Sequence, residues 1–125
     1  MQRKKILIVD DARIVRQQVG AALKDAGFDI IEAEDGQTAV TVVGKTPDLA
    51  MVVCDINMPG MSGLEFLEAL KGTGRINSLP VVMLTTEVNT SLVTRAKAAG
   101  AKGWMVKPFN ASALIVTAKK LTGAV

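Results

Sequence analysis

Histidine is absent from this 125-residue sequence, and cysteine occurs once, at Cys54. Those two shortages exclude histidine-based nucleophilic triads, zinc sites built from His and Cys, haem held by histidine and any intramolecular disulfide. Tyrosine is also missing, leaving Phe28, Phe66, Phe109 and Trp104 as the aromatic residues. No apolar run approaches the roughly 20 residues that cross a bilayer. The longest are Ile6 to Val9 and Leu49 to Cys54, and no signal-peptide core follows the basic start Arg3-Lys4-Lys5. A cytoplasmic protein without membrane insertion is expected. Neither sign of charge dominates: 15 basic minus 12 acidic residues leaves +3, spread along the chain. Such a small excess argues against direct nucleic-acid binding. The chemistry left to the chain is that of carboxylates, hydroxyls and amines.

What is present reads as one ordinary globular domain, with 49% hydrophobic and 22% charged residues. The expectation is a single domain over residues 1–125 with no output domain. Short apolar runs alternate with segments of helical period, the pattern of βα units wound around a mostly parallel sheet. Strands are predicted at Lys5 to Val9, Asp29 to Ala33, Leu49 to Cys54, Val81 to Thr85 and Gly103 to Val106. The first, third and fourth are the most continuously apolar and should be central, covered on both faces. The first helix is expected to start after Asp11 as its N-cap, to bury Val15, Val19, Leu23 and Ala26, and to stop at Gly27. Gln37 to Val43, Leu64 to Lys71, Thr90 to Ala99 and Ser112 to Leu121 complete the helices.

Asp10 and Asp11 follow the first strand directly and Asp55 follows the third. If those strands are neighbours in a parallel sheet, all three acids emerge at the carboxyl edge, where open α/β sheets bind ligands. Crowded carboxylates repel unless a cation joins them, and an all-oxygen set suits Mg²⁺. Thr85 and Lys107 end the fourth and fifth strands at the same level, and Lys107-Pro108 is a candidate cis peptide bond. An acid, a hydroxyl and an amine without a conventional base fit phosphoryl chemistry, in which the protein mainly positions groups and offsets charge.

Four segments in order carry a more specific likeness: Ile8-Val9-Asp10-Asp11; Val53-Cys54-Asp55-Ile56-Asn57-Met58-Pro59-Gly60-Met61-Ser62-Gly63; Met83-Leu84-Thr85-Thr86; and Gly100-Ala101 with Gly103 to Phe109. Together they resemble the response-regulator receiver domain, of the stand-alone chemotaxis type, from about Lys5 to Leu121. The resemblance implies a flavodoxin-like α/β fold: a five-stranded parallel sheet of order 2-1-3-4-5 with five helices on both faces. A chemotaxis receiver is itself a standing example of that order. Asp55 would then be the phosphoacceptor. Asp10, Asp11, Asp55 and the backbone carbonyl of Asn57 would hold Mg²⁺, with Mn²⁺ as an alternative. Thr85 and Lys107 would contact the phosphoryl group, and Trp104 would stand where the family carries a switching Tyr or Phe. Asn57 and Glu87 would tune a fast self-dephosphorylation.

The implied partners are a sensor histidine kinase and a downstream target docked on helix four, strand five and helix five. Because that face carries Arg95, Lys97, Lys102, Lys119 and Lys120, the target is expected to be acidic. A monomer is expected. The sequence departs from the common pattern at Ala12, at Thr86 and at Trp104, which is larger than the usual aromatic. For Trp104, simple packing against the last helix is the competing expectation. Other functions fit less well. An aspartyl-phosphate phosphatase of the haloacid dehalogenase type needs a second Asp two residues after the nucleophile, and Asn57 stands there. A dinucleotide carrier needs a glycine-rich loop after the first strand, and two acids stand there instead. A receiver that has lost its chemistry would not be expected to retain all of Asp10, Asp11, Asp55, Thr85 and Lys107.

Overall fold

Residues 3–86 and 88–124 are described in a computed structural model of the chain. Glu87, one of the two proposed tuning residues, and the C-terminal Val125 lie outside them. The elements run β1 (Lys5–Val9), α1 (Arg13–Asp25), β2 (Asp29–Ala33), α2 (Gly36–Lys45), β3 (Leu49–Cys54), α3 (Gly63–Gly72), a short 3₁₀ turn (Arg75–Asn77), β4 (Val81–Thr85), α4 (Thr90–Ala98), β5 (Gly103–Val106) and α5 (Ala111–Thr122). All five strands pair in parallel in the order β2-β1-β3-β4-β5.

The alternation of side chains along the strands divides the interior into two layers. Ile6 and Ile8 of β1 join Met51, Val53, Val82 and Leu84 beneath α1 and α5, which contribute Val19, Leu23, Leu114 and Ala118. Leu7 and Val9 join Val52, Cys54, Val81 and Met83 on the other face, under α2, α3 and α4, which contribute Ala39, Val43, Phe66, Leu67, Leu70 and Ala96. Strands β1, β3 and β4 are central because a strand covered on both faces must be apolar at every position. Cys54 is a buried member of this core, and Met58 and Met61 pack into the same layer beside the loop after Asp55.

Two sequence expectations need correction, and one element is additional. The N-cap of α1 is Ala12, without a side-chain cap, rather than Asp11. Asp10 supplies the local turn instead, its Oδ1 accepting the Ala12 N–H at 2.9 Å. Trp104 does not pack against the last helix; it faces the layer under α2, α3 and α4, opposite α5. The 3₁₀ turn was not anticipated. Its first residue, Arg75, ties it to the end of α2: the guanidinium donates to the carbonyls of Val43, Thr46 and Pro47.

The start of α3 is the tightest joint in the fold. Ser62 and Glu65 form a reciprocal capping box: the Ser62 hydroxyl accepts from the Glu65 N–H at 3.2 Å and Glu65 Oε1 accepts from the Ser62 N–H at 3.0 Å. Gly63 then donates its N–H to the Ile56 carbonyl at 2.9 Å. A Cβ at Gly63 would lie 2.0 Å from the carbonyl oxygen of Asp55, a contact with backbone that no rotamer relieves. Gly63→Ala is therefore expected to destabilise the domain by about 1–3 kcal/mol, and Ser62→Ala by about 1 kcal/mol, in chemical denaturation. A Gly63→Ala protein with the wild-type midpoint would show that the loop carrying Asp55 yields freely.

Candidate functional site

The parallel order brings the carboxyl ends of β1, β3, β4 and β5 side by side, and each end delivers one polar residue. The ladder continues one residue past the strands: Asp10 N–H donates to the Ala33 carbonyl at 3.1 Å and Asp55 N–H to the Val9 carbonyl at 3.0 Å. Backbone hydrogen bonds thus hold both acids in the plane of the sheet before any side-chain contact is made. Asp10 and Asp55 are buried, whereas Asp11 faces solvent. Carboxylate oxygens of Asp10, Asp11 and Asp55 lie within 4.8 Å of one another. Among the described residues this is the one acidic grouping close enough to hold a metal ion.

Lys107 closes the site from β5. Its Nζ donates to Asp10 Oδ2 at 2.7 Å and to Asp55 Oδ2 at 3.1 Å. Its backbone N–H donates to the Thr85 carbonyl at 2.9 Å, which ties the lysine to the end of β4, and the peptide bond to Pro108 is cis. Burial by itself would lower the lysine's pKa, but the hydrogen bonds and charges of Asp10 and Asp55 outweigh it and raise it above the usual value. The second oxygen of Asp55, Oδ1, accepts the Asn57 N–H at 3.3 Å, while the Asn57 side chain is exposed. Burial first, then the neighbouring charges of Asp55 and Asp10, pushes the Cys54 thiol up. Its Sγ donates to the Asp55 carbonyl at 3.2 Å, so it is not available as a nucleophile.

Thr85 is fully buried at the end of β4, on the face of the sheet occupied by Met83. Trp104 pairs with Met83 in the neighbouring strand and lies on that same face, diagonally across from Thr85. Sequence reasoning overlooked Arg16. Its Nη1 donates to the Asp10 carbonyl at 2.7 Å and its Nε to Glu32 Oε1 at 3.0 Å. The signal was available: Arg16 stands three residues before Val19 and seven before Leu23, on the helix face where an apolar residue would be expected.

The donor set suits a small hard cation: three carboxylates, no nitrogen or sulfur ligand, and open solvent beside Asp11. A phosphoryl group would meet the same positive charge that now sits on Lys107. Replacing Lys107 by Met leaves two buried carboxylates without their counter-ion, and the expected loss is about 3 kcal/mol of metal-free stability. Mg²⁺ should then raise the melting temperature of the variant more than that of wild type. Since folding raises the lysine's pKa, its contribution is complete below about pH 10.5 and is lost as pH rises through the higher folded-state value. Wild type should therefore lose stability above that pH more steeply than Lys107→Met, as read by thermal melts.

Comparison with known proteins agrees with this arrangement. The family model for the response regulator receiver domain matches residues 6–119. The chemotaxis protein CheY-3 of Vibrio cholerae serotype O1 is 42% identical over 111 residues, covering 88% of this chain and 85% of that protein. The chemotaxis protein CheY of Pseudomonas aeruginosa is 40% identical over 111 residues, covering 88% and 89%. The solved structure of Vibrio cholerae chemotaxis protein CheY4 matches with a TM-score of 0.88 at 38% identity, over 96% of this chain and 99% of that one. With four strand ends converging on this acid and lysine site, and the match running almost the full length of the chain, the protein belongs to the response regulator receiver domain family of two-component signalling, with CheY-type chemotaxis proteins among its relatives.

Proposed function

We propose that this domain accepts a phosphoryl group from a sensor histidine kinase on Asp55, and in that state presents an altered surface to a target protein. The observation that carries the reading is the double contact of Lys107 Nζ with Asp10 and Asp55, at the point where the three carboxylates meet. An Asp55 oxygen attacks phosphorus as the P–N bond of a kinase phosphohistidine breaks, and the electron pair leaves with the imidazole nitrogen. Asp10, Asp11, Asp55 and the Asn57 carbonyl would hold Mg²⁺, or Mn²⁺ in its place. The ion supplies charge neutralisation of the phosphoryl oxygens when bound. Lys107 pairs with one phosphoryl oxygen and the Thr85 hydroxyl donates to another.

The chain catalyses only its own transfer and its own hydrolysis, so it is a switch rather than an enzyme acting on a separate substrate. In hydrolysis, water attacks phosphorus, the P–O bond to Asp55 breaks, and carboxylate and inorganic phosphate are released. The exposed Asn57 side chain stands beside Asp55 at the approach for that water. By sequence position, two residues beyond Asp55 and Thr85, Asn57 and Glu87 are the amide and acid of a short-lived phosphorylated state. The target is acidic. Residues 88–125 contain Arg95, Lys97, Lys102, Lys107, Lys119 and Lys120 but no Asp or Glu. The α4-β5-α5 face therefore offers charge of one sign. The protein works as a monomer in the cytoplasm; among the described residues no helix is long and apolar enough to cross a membrane.

Given Mg²⁺ and a small phosphodonor or a cognate kinase, wild type should acquire an acid-stable, hydroxylamine-labile phosphoryl label, and Asp55→Asn should acquire none. A label of the same lability on the mutant would transfer the acceptor role to another residue. The switch is read separately through Trp104, the one indole in the chain. Mg²⁺ with beryllofluoride as a phosphoryl mimic should shift its fluorescence, and Thr85→Ala should blunt the shift while metal binding persists. An unmoved spectrum with the mimic demonstrably bound would make Trp104 a packing residue.

A further inference from the structure

The peptide unit between Asp10 and Asp11 joins the two acids at the end of β1, so its orientation sets the direction of both side chains. Its position past the strand leaves its carbonyl without a ladder partner. The Asp10 N–H reaches the Ala33 carbonyl, but β2 and β3 themselves end at Ala33 and Cys54. Among the described residues the donor to the Asp10 carbonyl is Arg16, one turn into α1, at 2.7 Å. This is a short, charge-assisted bond from a side chain only 13% exposed. The guanidinium is aimed in turn by Glu32 of β2, at 3.0 Å from Nε, on the strand position paired with Ile8.

We propose that Arg16, held by Glu32, is a positioning residue for the divalent cation site: it fixes the plane of the Asp10–Asp11 peptide and thereby the convergence of their carboxylates. This rests on the reading of Asp10 and Asp11 as metal ligands. Asp10 is otherwise well anchored, with Oδ1 on the Ala12 N–H and Oδ2 on Lys107. Asp11 is exposed, and none of the described hydrogen bonds fixes its carboxylate. Asp11 therefore depends most on the peptide plane. Without the guanidinium, that plane is free to tilt toward water and Asp11 spends less time facing its partners.

The proposal has a sign that separates it from simple electrostatics. Arg16 carries a positive charge beside three carboxylates, so on charge alone its removal should tighten cation binding. A positioning role demands the opposite, by about tenfold or more, the usual cost of losing an outer partner of a metal ligand. The test is calorimetric titration of Mg²⁺ into wild type, Arg16→Gln, Arg16→Lys and Glu32→Gln, with melting temperatures of the metal-free proteins recorded alongside. Arg16→Gln should bind Mg²⁺ at least tenfold more weakly, Arg16→Lys should recover part of the loss, and Glu32→Gln should fall in between. A purely structural Arg16 would lower the melting temperature and leave the affinity unchanged. Folded Arg16→Gln with wild-type or tighter affinity would overturn the proposal. Should Arg16→Gln fail to fold, Arg16→Lys, which keeps the charge, carries the same decision: wild-type affinity there overturns it. Wild type that takes up no Mg²⁺ would instead remove the metal reading on which the proposal stands.

Discussion

Two buried carboxylates set on neighbouring strand ends repel each other, and the packing of the site follows from how that repulsion is met. Asp10 and Asp55 are brought together by the ladder itself, through the N–H groups that continue past β1 and β3. The apolar layers on both sides of the sheet keep water from screening them. Lys107 is the group that answers the charge, and it can do so only if β5 ends level with β1 and β3. Its own N–H on the Thr85 carbonyl secures that level through β4. One lysine therefore couples the ends of four strands.

The loop after β3 shows how the same edge is kept open for chemistry. Gly63 lets α3 begin directly against the Asp55 carbonyl, and the Ser62–Glu65 capping box turns the chain sharply enough that the loop after Asp55 stays short. Met58 and Met61 anchor that loop in the layer under α2, α3 and α4, with Met61 seated where Gly36 leaves room for it. Asn57 is left exposed beside Asp55. The geometry places packing on one side of the acid and solvent on the other, as the proposed phosphorylation and hydrolysis would require.

Under the proposed phosphorylation, the face of the sheet shared by Thr85 and Trp104 would be the route from the site to the surface. They occupy adjacent strands on that face, beneath a layer to which α4 contributes Ala96 as its one buried residue. A helix held by so little apolar contact responds to small changes beneath it. The cations of α4, β5 and α5 sit around this region, so a movement started by a new charge on Asp55 would be read out as a rearranged basic surface.

Periodicity and local chemistry determined most of the fold in advance. The five strands coincide with the five predicted runs: the central β1, β3 and β4 are legible because strands covered on both faces are predominantly apolar, and the shorter edge strands because charge, glycine or proline marks their ends. The acids and the lysine were legible as a group because they directly follow strands. Tertiary structure alone decided the rest. Ala12 rather than Asp11 caps α1, since Asp10 takes over the turn and leaves Asp11 exposed. Trp104 lies away from the last helix, since strand parity, which depends on how β5 registers with β4, decides which face it enters. Arg16 acquires its role only because the sheet places the Asp10 carbonyl and the Glu32 carboxylate within its reach. Sequence spacing reports which residues can share a face, but a hydrogen bond between distant segments exists only once strand order and register have set the distance.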